Sequence, residues 1–454
     1  MTPSHLKHLY WRAGFGLSPA EYAARHSDSA PEAWDRLYRE ATQVTELPAP
    51  PPPDLEAFRM DRKAFIRDQA RRVFALSADW IRRMANPTEP ALLERMSLFW
   101  HGHFACHSRS EQIAVHQLNL IRKHALGNFR DLLLGISHDP GMIRYLNNQQ
   151  NRKQQPNENF AREVMELFTL GRGNYTEQDI KEAARAFTGW SSNLKGEFVF
   201  RSSWHDYGRK TVFGKSGDFD GEDIIDLLLE KKETAHFIAG KVYRYFVHPE
   251  GDEERIAELG RLFYRSDYDI ARLMEALFTA DWFYAEENLG ARIKSPVELL
   301  AGLTRQLGVD WMDDRNLFIL QRALGQELFH PPNVAGWPQG KAWIDNSTLM
   351  LRLSLAAFLF RQAEADIPIR VGPEEREVRH PVKELQATFS LEPLQRALAD
   401  PDAEEQIHQL SDFLLIKPTQ LPITQLNQGL KGRAEGVFAQ QCLRILSLPD
   451  YQTC

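Results

Sequence analysis

Pro156-Asn157-Glu158-Asn159-Phe160-Ala161-Arg162-Glu163-Val164-Met165-Glu166-Leu167-Phe168-Thr169-Leu170-Gly171 is the stretch whose reading decides the fold class. It opens on Pro-Asn and closes on Gly, which bounds one helix of about three turns. Phe160, Val164, Leu167 and Phe168 recur at helical spacing and define a core-facing stripe. On the same wheel Glu163 projects between Leu167 and Leu170, inside the apolar sector. Asn159 and Glu166 lie at its edge, and Glu158 and Arg162 point away as an exposed i,i+4 pair. A carboxylate on a core face is costly unless it is paired, hydrogen-bonded or metal-bound. The pattern therefore predicts a largely buried Glu163 with two or more polar contacts. Its partner is expected to be an arginine such as Arg12, Arg95 or Arg185, several N–H donors, or a metal.

The same periodicity extends in both directions. It predicts helix over 18–41, opened by the capping-box pattern Ser18-Pro19-Ala20-Glu21. It continues through 54–190, punctuated by Asn86-Pro87, Asp139-Pro140, Pro156 and Gly171. It returns over 221–290, 295–327 and 346–364, and in the last 70 or so residues. A proline run at 47–54 reads as an extended connector, 366–382 as a polar surface loop, and 330–343 as a rigid Pro/Gly/Trp segment. The aromatic-rich stretch 191–214 breaks the helical pattern and reads as an irregular or β-hairpin insertion. The expectation is a mainly α fold: a single large helical domain over 1–454, with a C-terminal helical extension over about 383–454.

Composition supports a folded chain with a sizeable core: 43% of the 454 residues are hydrophobic, including 10 Trp and 26 Phe. The net charge of -7 lacks the basic surplus that nucleic-acid binding needs. Three cysteines, Cys106, Cys442 and Cys454, form neither a disulfide framework nor a zinc spacing. No apolar run is long enough for a membrane span. No signal peptide is visible, so a cytoplasmic location is expected.

Two further segments carry metal-ligating or catalytic residue types. In Glu94–His107, Thr88 is a candidate cap, and Leu92, Leu93, Met96, Phe99 and Trp100 share a face with His103 and His107. His101 points nearly opposite, and shares a site with His103 only if Gly102 breaks the helix. In Trp204–Lys210, His205, Asp206 and Lys210 sit on the insertion, where binding groups are common. The loop Phe329–Ile344 offers Asn333 and Trp337 as pocket-lining groups. Gly217-Asp218-Phe219-Asp220-Gly221-Glu222-Asp223 faintly suggests a calcium loop, but it lacks the terminal bidentate Glu in register and reads better as helix capping. Phosphate-cradling, nucleophile-elbow and His-Glu-x-x-His motifs are absent from the sequence.

Taken in order, Tyr10–Gly16, Glu94–Phe104, Arg122–Arg130, Asn157–Gly171, Tyr175–Trp190 and Pro331–Trp337 resemble the family called domain of unknown function 1800. The resemblance implies a bacterial, largely helical protein with no assigned activity. It also implies a gene often found beside one for a protein of the family domain of unknown function 1501. Many members carry export signals, which this chain lacks; Gly102 stands where many have Asn, and His107 where a small hydroxyl residue is usual. Two functions follow as expectations. The first is a metal-dependent enzyme, a hydrolase: one divalent ion on His101, His103 and Glu166, with Glu163, His205 and Asp206 as catalytic groups and Asn159, Lys210, Asn333 and Trp337 binding ligand. The alternative is a non-catalytic binding or assembly protein that acts with the 1501-type partner.

Overall fold

The computed structural model describes all of the chain except residues 26, 53, 194–195, 362–386, 399–402 and 431–433. The predicted polar loop at 366–382 lies outside the described residues. The described chain is mainly helical, and its only sheets are three two-stranded pairs. No helix among the described residues is long and apolar enough to cross a membrane.

Local chemistry sets most helix starts. Ser18 and Glu21 close the expected capping box, the Ser18 amide donating to Glu21 Oε2 at 2.8 Å. The helix it opens is short, Pro19–Arg25. A second box at Ser29 and Glu32 starts Ala30–Ala41, so the single helix expected over 18–41 is two. The second box supplies partners for the orphan amides of a new start, which favours a break over continuation. Thr88 does not cap the helix that follows it. It bonds the Asn86 side chain at 3.0 Å, and Pro90 occupies the cap of Ala91–His103. Asp220 and Asp223, two of the four acids of the calcium-like segment, are committed to a capping box on Gly221–Leu229.

The insertion holds two antiparallel hairpins. Trp190–Ser192 pairs with Phe198–Phe200, and Lys210–Val212 with Lys215–Gly217, a little beyond the expected boundary at 214. Trp190 is buried beneath the first hairpin against His138 and Phe187.

Two apolar cores share one wall. The first gathers residues from Leu6 to Tyr284 and includes Trp100, Phe104, Phe129 and Phe168. The second runs from Phe15 to Tyr451, with Trp80, Leu300, Leu320 and Phe438. Ala91–His103 contributes to both and is buried on every side except at Gly102. Each large side chain so buried stabilises the fold by about 1.5–3 kcal/mol. Glu94 and Arg95 are inside as well, and each is paired. Glu94 accepts from Trp80 Nε1 at 2.8 Å and from Arg122 Nη2 at 2.8 Å; Arg95 pairs with Glu298.

Candidate ligand-binding cleft

The helix of the opening stretch is not α-helical throughout. Glu158–Glu163 is α, but Val164–Thr169 is a π-helix. The Leu170 amide reaches back five residues to Met165 O (2.9 Å), and Thr169 Oγ1 donates to Val164 O at 2.6 Å. A wheel of 3.6 residues per turn fails past Val164, because each π turn holds an extra residue. Glu163 is half-buried, not largely buried, and its side chain makes no hydrogen bond or ion pair with any described residue. Burial and the neighbouring Glu166 raise its carboxyl pKa. The three arginines considered as partners are engaged elsewhere: Arg12 with Asn288 O, Arg95 with Glu298 and Arg185 with Asp206. The exposed pair on the opposite side forms as expected, Arg162 to Glu158 at 3.2 Å.

The expected metal set does not assemble. Ala91–His103 runs unbroken through Gly102, so His101 and His103 diverge. His101 packs between Trp80, Phe329 and Trp337, and its Nε2 accepts from the Phe329 amide at 3.2 Å; burial lowers its pKa to about 3. Glu166 is held by Arg172 and by the Tyr175 hydroxyl (2.7 Å). His107 lies beyond the helix end and meets His330, with ring centroids 4.6 Å apart. Among the described residues, no group of three His, Cys, Asp or Glu side chains is placed to hold a metal ion.

The insertion residues act as its internal braces. His205 is buried, with Nδ1 on Thr188 O at 2.8 Å. Asp206 accepts from Arg185 at 2.7 Å and from the Gly208 amide. Lys210 is buried and donates to Asp206 O at 2.5 Å. Asn159 Nδ2 ties to Leu146 O at 3.0 Å. Asn333 is exposed and turns its own loop by accepting from the Ala335 amide.

His103 and Trp337 do meet, in a cleft of about 240 Å3 where the end of Ala91–His103, the helix Lys232–Phe246 and the loop 335–343 converge. Gly336 lets that loop close. Its φ is +87°, and a Cβ there would fall 2.5 Å from Gly102 O. Trp337, Trp343, Phe99 and Tyr245 give the cleft an aromatic lining.

At the inner end His103 Nε2 lies 3.1 Å from Phe168 O, so Nε2 carries the proton and Nδ1 is the acceptor. Lys241 Nζ donates to that Nδ1 at 3.2 Å and to Leu167 O at 3.0 Å. Both carbonyls belong to the π-helical turn. Burial holds His103 neutral, with the Lys241 charge adding to the effect, and draws Lys241 down to about 8. The Tyr245 hydroxyl has no partner among the described residues, and burial pushes its pKa up to about 12.

Lys241, Arg244 and Arg292 line the cleft, and no Asp or Glu does. Arg292 and, behind the lining, Arg95 each lie 4.8 Å from the Tyr245 ring centroid. Arg12, Lys294 and Arg352 complete a buried cationic layer. Burial works to raise the pKa of Glu298, but Arg95 and Arg292 outweigh it and hold that carboxyl down to about 2. Donor atoms of Arg12, Arg95 and Arg352 in this layer are buried without an acceptor.

Residues 8–453 match the family described as Protein of unknown function (DUF1800). The chain belongs to the DUF1800 family. No curated protein and no solved structure matches it. The DUF1800 match covers nearly the whole chain, so both cores and the cleft lie within it. Of the candidate site residues named from the sequence, only His103 and Trp337 line the cleft. Lys241, Arg244, Tyr245 and Arg292 were not among those candidates, although Phe237, Lys241, Arg244 and Tyr245 are spaced i, i+4, i+7 and i+8, an aromatic helical stripe interrupted by cations.

Proposed function

We propose that this DUF1800 chain binds a small organic anion in the cleft beside the π-helical turn. The observation that carries the reading is charge: three cations and no carboxylate line a pocket in a chain whose net charge is -7. A guanidinium fork suits a carboxylate or phosphate ester, and the Trp and Tyr walls suit an organic body attached to it. The metal-dependent hydrolase expected from the sequence draws no support from His101, His103 and Glu166, since each has its own protein partner. Titrating the protein with small carboxylates and phosphate monoesters, with Trp337 and Trp343 as fluorescence reporters, tests the proposal. A saturable change is expected, weakened about tenfold by Arg244→Gln, the loss of one charge-assisted contact. A flat response across both classes of anion overturns it.

The alternative, a surface that docks a 1501-type partner, is favoured by one observation. Phe200 and Tyr207 on the insertion are exposed, Tyr207 by 64%. Co-purification with that partner, lost in the Phe200→Ser, Tyr207→Ser double variant, is the result it expects; no co-purification by the unaltered chain removes it.

A further inference from the structure

The geometry around Lys241 points to covalent chemistry. We propose that Lys241 forms an imine with the carbonyl carbon of an anionic aldehyde or 2-oxo acid held in the cleft. The inference rests on the anion-binding reading above and names the substrate class of that site.

Three of the four tetrahedral positions on Nζ are assigned: the bond to Cε, Leu167 O at 3.0 Å and His103 Nδ1 at 3.2 Å. As a neutral amine Nζ donates its two protons to those acceptors, which leaves the lone pair at the fourth position. No described residue places a third hydrogen-bond acceptor on Nζ. The two acceptors are fixed. Leu167 O belongs to the π-helical turn, and the His103 ring is clamped by its own bond to Phe168 O. The Phe237 ring, with its centroid 4.9 Å from Nζ, covers one flank with apolar surface. No carboxylate among the cleft residues pairs with the amine, which sets Lys241 apart from a lysine held in a structural ion pair. A lysine desolvated in a pocket is a recurrent setting for imine-forming amines. Arg244, which also meets Glu253 at 3.5 Å, and Arg292, which also meets Glu298 at 3.5 Å, line the cleft and supply the charge that retains the anionic end of such a carbonyl compound.

The step balances without a co-reactant. The Nζ lone pair adds to the carbonyl carbon as one of the two amine protons passes to the carbonyl oxygen, giving a neutral carbinolamine. The hydroxyl is then protonated and leaves as water while Nζ gives up its second proton. The C=O bond is thereby replaced by a C=N bond, both protons lost from nitrogen are matched by two gained on oxygen, and water is the only by-product. Tyr245, whose hydroxyl has no protein partner, lines the same cleft and is a proton donor for the departing oxygen.

Incubation of the full chain with glyoxylate and sodium cyanoborohydride, followed by peptide mapping, tests the proposal. The expected result is a carboxymethyl adduct at Lys241, formed several-fold faster than at other lysines. It is absent in Lys241→Arg, and it is much slower when the neutral acetaldehyde replaces glyoxylate. Circular dichroism of Lys241→Arg establishes that the variant is folded. Wild-type protein also supplies an internal comparison through competition by acetate. If glyoxylate changes the tryptophan fluorescence saturably but leaves Lys241 unmodified, the imine is refuted while anion binding stands. If neither signal appears, the anion-binding reading fails and the imine with it. Labelling spread evenly over surface lysines likewise refutes a reactive Lys241.

Discussion

Glu163 and Glu94 show how much one carboxylate's surroundings decide. Glu163 is half-buried, has no hydrogen bond, and its pKa is raised by burial and by Glu166. A raised carboxyl pKa means the native state binds the proton more tightly than the unfolded chain, so the charged form weakens the fold as pH rises through that pKa. Glu163→Gln removes that charge, and denaturant melts at neutral pH are expected to show stability unchanged within about 0.5 kcal/mol or raised. Glu94 is fully buried and holds both Trp80 and Arg122. Glu94→Gln leaves the Arg122 guanidinium without its carboxylate and should cost about 3–5 kcal/mol in the same melts. Equal losses in the two variants would falsify the distinction. The sequence signals a buried acid but not which one. An amphipathic wheel assumes one wet face, and Ala91–His103 has none.

At the scale of elements, helix existence is legible and helix register is not. Capping boxes at Ser18/Glu21, Ser29/Glu32, Thr176/Asp179, Asp220/Asp223 and Ser295/Glu298 are local four-residue patterns, readable without tertiary knowledge. The π-helix at Val164–Thr169 leaves no such mark, because its extra residue per turn is stabilised by what packs around it: His103 and Lys241 on its carbonyls, and Thr169 bonded back to Val164. The His–Lys pair was therefore out of reach of periodicity, which does not bring residues 103, 167 and 241 together. If the Thr169 hydroxyl fastens the turn, Thr169→Val should lower stability by about 1–2 kcal/mol, for a lost hydrogen bond and a buried carbonyl left short of a donor. Urea unfolding with an unchanged slope and a lower midpoint is the expected record; an unshifted midpoint means the turn does not depend on that bond.

For the molecule as a whole, buried histidines set the acid limit. His8, His101 and His103 are buried and neutral, with pKa values lowered by burial, that of His101 to about 3. Folded values below the unfolded 6.5 mean that the unfolded chain takes up more protons. Stability is intact above about pH 6.5 and is lost as pH falls toward the folded values. At about pH 5 a ring held at about 3, as His101 is, costs about 2 kcal/mol, and His8 and His103 act in the same direction. Asp139, raised to about 6 by burial, acts in the opposite sense, but it is one group against three. Steep loss of stability between about pH 6.5 and 5, followed by circular dichroism at a series of pH values, is the expected outcome. A flat profile to about pH 4 contradicts the neutral, buried state of these rings.

The helix Pro3–Arg12 is built early and completed late. Its Lys7 donates to the carbonyls of Asp412 and Leu415, its Arg12 to Asn288 O, and its Trp11 receives the Lys294 ammonium 3.8 Å from the ring centroid. A ribosome adding about 5–20 residues per second therefore needs on the order of 20–80 s after making this segment before its last acceptors exist. Until those partners are made, Lys7, Trp11 and Arg12 lack these native contacts. Synthesis speed and holding factors on the nascent chain thus bear on the yield of this fold at its first helix more than at any later one.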